Sequence, residues 1–176
     1  MATEISTYLK YAHLQLAAEA LCEPQTASAD TSASALAFAR EWQIIEHLSN
    51  TATGLSGTLF QALRSNEVRG VVARELVLSF CSSEFIGDAA WDDDAGEAPD
   101  IREQAQAFRQ INDMREWVDS LYSRGKIHAS SPLTVTGYRL GSRPVTAFTL
   151  LYPRAARATY SFDKAAVEAL KNADCI

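Results

Sequence analysis

Cysteine is scarce in this 176-residue chain: Cys22, Cys81 and Cys175 are far apart, odd in number, and form no C-x-x-C pair or Cys/His spacing. That excludes a disulfide framework and a zinc site as organising devices and predicts reduced thiols, with no cofactor expected. Positive charge is also short. With 16 Lys and Arg against 22 Asp and Glu, the formal net charge is −6, which argues against nucleic acid as a partner because phosphate binding needs a basic surface. No window reaches the ~18 apolar residues of a membrane span, and Met1 to Ile5 shows neither the basic n-region nor the apolar core of an export signal. A soluble, cytoplasmic protein is the simplest expectation, with signal-independent secretion left open.

What is present suits a globular domain. Apolar residues make up 47% and charged residues 22% of the chain, and a chain of this length buries roughly 70% of the surface its unfolded form exposes, enough for one domain over residues 1–176. Ile5, Tyr8, Leu9, Ala12, Leu16 and Ala20 recur at three- and four-residue steps and predict an amphipathic helix over 5–21. Residues 23–34 read as a loop. Ala35 to Leu48 resumes helical spacing through Leu36, Ala39, Trp42, Ile45 and Leu48. Leu55 to Ala62 and Val71 to Phe80 read as the two strands of a hairpin with a longish loop.

Residues 87–100 are acidic, with Asp88, Asp92, Asp93, Asp94, Glu97 and Asp100, but lack calcium-loop spacing and read as a solvated loop. Ile101, Ala105, Phe108, Ile111, Met114, Val118 and Leu121 then mark a helix of about six turns. It serves as the crossover to a strand at Leu133 to Thr136, and such crossovers make their strands parallel. A helix over Ser142 to Leu151, a strand over Ala158 to Phe162 and a helix over Lys164 to Asn172 follow. Pro144 falls in the first turn of its helix, where a missing amide proton is harmless. The expected fold class is α/β, layered, with a mostly parallel sheet flanked by helices.

The most specific local pattern is Gly137-Tyr138-Arg139-Leu140-Gly141-Ser142, which follows a strand and opens a helix. Glycines flanking such a turn permit a sharp reversal that lifts the central residue above the sheet. With Ser6 to Leu21, Thr51 to Phe60, Leu76 to Glu84, Gln110 to Trp117 and Leu133 to Val167, it resembles a bacterial lipase-like α/β-hydrolase of the class 3 lipase type. The resemblance covers nearly the whole chain. It implies a partial α/β-hydrolase-like fold, ester or lipid hydrolysis as the ancestral activity, and a serine at the centre of the turn.

The chain departs from that pattern at each chemical position. Where the family has G-H-S-L-G-G, Arg139 replaces the serine; where it has F-R-G-T-E, this chain reads Phe80-Cys81-Ser82-Ser83-Glu84; its N-G-A-G-V becomes Asp163 to Val167. The sequence ends at Ile176, before the strands that bring the family's triad aspartate and histidine, so a truncated domain is the expectation. A guanidinium stays protonated near neutrality and serves as neither nucleophile nor general base. Losing the nucleophile costs on the order of a millionfold in turnover in comparable enzymes.

The remaining candidates are few. Ser142 is a weak surrogate nucleophile, one helical turn past the tip. The amide of Leu140 and the hydroxyl of Ser83 occupy the oxyanion-type positions that the resemblance implies. Asp163 and Glu84 follow neighbouring strands and are the expected ion-pair partners of Arg139, a contact worth about 1 kcal/mol if wet. His128 precedes the strand and sits roughly 15 to 20 Å from the tip, at its wrong end; His13 and His47 fall on predicted N-terminal helices.

An inactive lipase-like binding or assembly domain is the first reading. Its expected partner is a second copy or another chain at the open sheet edge near Ala158 to Phe162. Two others stay open: an active ester or triacylglycerol lipase using a surrogate serine or a complementing chain, and a module for a fatty-acyl ligand whose carboxylate Arg139 would hold.

Overall fold

The computed structural model describes residues 4–22, 38, 40–82, 99–138 and 141–162. The predicted loop at 23–34, residues 87–98 of the predicted loop at 87–100, the helix at 164–172, and Arg139, Leu140, Ser83, Glu84 and Asp163 lie outside them, while Pro99 and Asp100, read as the end of that loop, are helical. The elements run α1 (Glu4–Cys22), β1 (Trp42–Leu48), β2 (Leu55–Ala62), β3 (Leu76–Ser82), α2 (Pro99–Ser123), β4 (Leu133–Tyr138), α3 (Ser142–Leu151) and β5 (Ala156–Phe162). Among the described residues, one five-stranded sheet has the order β1-β2-β3-β4-β5.

The architecture is mixed α/β with helices flanking the sheet, but the sheet is not mostly parallel. β1 with β2 and β2 with β3 pair antiparallel, whereas β3 with β4 and β4 with β5 pair parallel. Connection chemistry explains the split. The turns after β1 and β2 contain no helix and reverse the chain, while α2 and α3 are long enough to carry it back for parallel pairing.

Both faces of the sheet are buried around β2, β3 and β4, whose side chains are almost all inaccessible. Tyr11, Leu14 and Ala18 of α1 pack on Trp42, Phe60 and Val77 on one face. On the other, Met114, Val118 and Leu121 of α2 and Val145 and Phe148 of α3 pack on Leu59, Leu78, Phe80 and Val135. Burial on two faces is why these strands read as apolar runs rather than clean alternation.

The segment from Ala35 to Leu48 corrects the sequence reading: Trp42–Leu48 is an edge strand, not helix. The register shifts between Ile44 and Glu46. This bulge sends Trp42 to the α1 core and Ile45 and Leu48 to the opposite core. Three apolar residues at three-residue steps therefore imitate a helical stripe, while the adjacent β-branched Ile44 and Ile45 suit a strand. His47 consequently sits on a strand rather than a helix. The predicted Val71 to Phe80 strand also begins later, at Leu76, and Val71 forms an isolated bridge with Asn66.

Candidate elbow site

β4 ends at Tyr138 and α3 begins at Ser142, leaving a tight strand-to-helix connection. Its glycines are required by contact. A Cβ built on Gly137 would lie 2.4 Å from the Gly141 carbonyl oxygen and 2.7 Å from Val145 Cγ2. A Cβ on Gly141 would lie 2.5 Å from the Phe80 carbonyl oxygen at the end of β3. Helix start, strand end and neighbouring strand thus meet backbone to backbone, an approach only glycine allows. Gly141 has an ordinary right-handed conformation, φ −61° and ψ −15°, so close approach rather than unusual dihedrals explains it.

Ser142 is the first residue of α3, half-buried, and its carbonyl accepts a hydrogen bond from Thr146 Oγ1 at 3.1 Å. Of the residues singled out from the sequence, the structure brings together Gly137, Gly141 and Ser142.

The neighbouring rim is braced by residues the sequence reading missed. Gln110 of α2, 4% exposed, donates through Nε2 to the Thr53 carbonyl at 2.8 Å and to Ser82 Oγ at 2.8 Å. Gln106 donates to the same carbonyl at 2.6 Å, and Thr53 Oγ1 donates to Asp113 Oδ2 at 2.7 Å. A polar stripe at i, i+4 and i+7 on α2 therefore grips the turn before β2 and the exit of β3. Below the elbow, Gln15 of α1 is 1% exposed and donates to the Phe80 carbonyl at 3.0 Å and Cys81 Sγ at 3.3 Å. The available signal was a glutamine interrupting an apolar stripe in each helix.

No histidine approaches the elbow among the described residues. His128 is exposed in the loop leading into β4, at the opposite end of that strand, and His13 is exposed on α1. On β1, Nδ1 of His47 lies 2.9 Å from Thr58 Oγ1, and burial lowers its pKa despite an opposing hydrogen bond with the Gly57 backbone. Tyr11 lies toward the start of the parallel strands and donates to Glu75 Oε1 at 2.6 Å. Burial first, and the Glu75 hydrogen bond second, hold its phenol protonated well above the usual range.

These features define a mixed α/β protein with a glycine-packed strand-to-helix elbow at the carboxyl end of its parallel strands. No family model, curated protein or solved structure matches the chain.

Proposed function

We propose that the chain is a lipase-like α/β-hydrolase homologue of the class 3 lipase type, with the elbow kept as architecture and acyl transfer lost. Its role on this reading is binding or assembly. The observation that carries it is the double glycine contact, Gly137 on Gly141 and Gly141 on Phe80. A turn packed this tightly is what a lifted nucleophile requires, yet the residue at its centre in the sequence is Arg139. A permanently charged guanidinium cannot form an acyl ester or relay a proton. Ser142 stands farther along, as the first residue of α3 and recessed from the centre of the turn.

The edge position of β5 supports the assembly role. It is the last strand of the sheet among the described residues, and Arg157, Thr159 and Ser161 alternate as exposed positions along it. Unpaired backbone groups on such an edge recruit another strand.

Incubation with a fluorophosphonate, followed by intact mass, tests the loss of chemistry alongside hydrolysis of p-nitrophenyl butyrate. The expected outcome is no adduct and no turnover above buffer. An adduct or turnover that vanishes in Ser142→Ala would overturn the reading.

A further inference from the structure

At the end of the sheet opposite the elbow, a pocket of ≈ 320 Å³ opens between α1, the start of β1 and the connection from β2 to β3. Its apolar walls come from Leu9, Phe38, Trp42, Val68 and Val71. Trp42 is the informative wall. Only 5% of it is exposed, and its indole N–H meets no acceptor among the described residues, yet no buried side-chain nitrogen or oxygen there lacks a partner. Both facts hold only if the N–H keeps some contact with solvent, and Trp42 is one of the residues that line the pocket.

The charges around the opening are unevenly committed. Lys10 is buried and gives its ammonium to both Glu75 oxygens, at 2.8 and 3.0 Å, and to the Gly70 carbonyl at 2.7 Å, which uses its three donors. Glu41 accepts from Asn66 at 2.7 Å and from Arg69 at 3.3 Å. Arg69 differs: its side chain is 52% exposed, and its only guanidinium contact among the described residues is that single long one. A guanidinium carries five donors in a planar fork suited to a carboxylate. Thus two residues that line this opening, Trp42 and Arg69, keep donors uncommitted beside aliphatic and aromatic walls.

We propose that this pocket binds a monocarboxylate with an apolar tail, the head on Arg69 with the Trp42 N–H as a second donor and the tail against Leu9, Val68 and Val71. Concave sites with mostly apolar walls and a few converging polar groups are the usual form of a small-molecule site. The ligand is anionic because Arg69 and Trp42 keep donors to spare, and it is amphiphilic because Leu9, Phe38, Val68 and Val71 form apolar wall beside the polar lining, which also includes Ser6 and His13. This site is separate from the elbow and does not depend on the hydrolase reading.

Isothermal titration of the full chain with sodium octanoate, and with octylammonium chloride as the charge-reversed probe, tests the assignment. Saturable octanoate binding is expected, weakened about tenfold or more in Arg69→Gln and several-fold in Trp42→Phe, with no saturable octylammonium binding. Arg69 is on the surface, so its variant should fold, and a thermal melt checks Trp42→Phe. Arg139→Ala should leave octanoate affinity unchanged. The proposal fails if octanoate shows no saturable binding, if Arg69→Gln binds as the wild type does, or if binding is lost instead in Arg139→Ala, which would assign the carboxylate to the elbow.

Discussion

The side-chain carbonyl of Gln15 accepts the hydroxyl proton of Thr136 at 2.8 Å, and that contact sets the direction of the bonds around it. With its proton given to Gln15, the Thr136 hydroxyl must accept from Ser79 Oγ, 2.7 Å away. Both amide protons of Gln15 are then used by the Phe80 carbonyl and Cys81 Sγ. One glutamine joins α1 to β3 and β4 directly beneath the elbow, and the polar groups it brings inside are satisfied together.

Replacing Gln15 by Leu should destabilise the protein by about 1–3 kcal/mol, because the Thr136 hydroxyl and the Phe80 carbonyl each lose a buried partner. Urea denaturation measures it. Thr136→Val added to Gln15→Leu should cost less than Thr136→Val alone, since the contact it removes is already gone.

Alanine at Gly137 or Gly141 should cost about 1–3 kcal/mol or more, because the new methyl meets backbone that cannot move aside. Gly57→Ala supplies the contrast: its Cβ would lie 2.3 Å from the Trp117 ring, a side chain. Trp117→Leu should therefore partly rescue Gly57→Ala and leave Gly137→Ala unrescued, as read by the shift in melting temperature.

Lys10 and Glu75 form an ion pair whose side chains are 5% and 10% exposed. Lys10→Met strands a carboxylate inside and should cost about 3–5 kcal/mol. Adding Glu75→Gln should restore part of that loss, because the charge disappears while the amide oxygen still accepts the Tyr11 hydroxyl. Chemical denaturation of the single and double variants checks both signs.

His47 gives a pH dependence. Its folded pKa lies below the ordinary value of 6.5, chiefly through desolvation, so the unfolded chain binds the proton more readily. The contribution of neutral His47 is complete above pH 6.5 and is lost as pH falls from there through the folded pKa. Urea midpoints measured across that window should drop toward acid, and His47→Gln should remove that component of the slope.

The assembly reading predicts that apparent mass by light scattering rises with concentration. Lysine at Thr159 or Ser161 on the β5 edge should suppress the rise without a loss of melting temperature, since an edge charge resists strand addition more than it disturbs the fold. A mass that stays monomeric in the wild type would remove β5 self-association from the account.

Much of the element order was legible because its periodicities are local. Helical spacing from Ile5 to Ala20 became Glu4–Cys22, and that from Ile101 to Leu121 became Pro99–Ser123. The apolar run at Leu133 and the two glycines after it became a strand meeting a helix. β1 was misread because a bulge and burial on two faces gave a strand the spacing of a helix. The mixed sense of the sheet was missed because pairing direction depends on what each connection contains, not on the strand residues themselves. Gln15, Gln110 and Arg69 had no visible role, since their partners lie far along the chain: 121 residues from Gln15 to Thr136, and 57 from Gln110 to Thr53.

Local chemistry alone determined where the chain bends, which segments carry apolar faces, and that a guanidinium rather than a hydroxyl stands between Gly137 and Gly141. Those properties belong to single residues and their near neighbours. Tertiary packing decided which glycines touch backbone, which buried polar groups are satisfied, and which donors at the far end of the sheet stay uncommitted. Such outcomes require distant segments to meet, and hydrogen bonds and van der Waals contacts act only across a few ångströms.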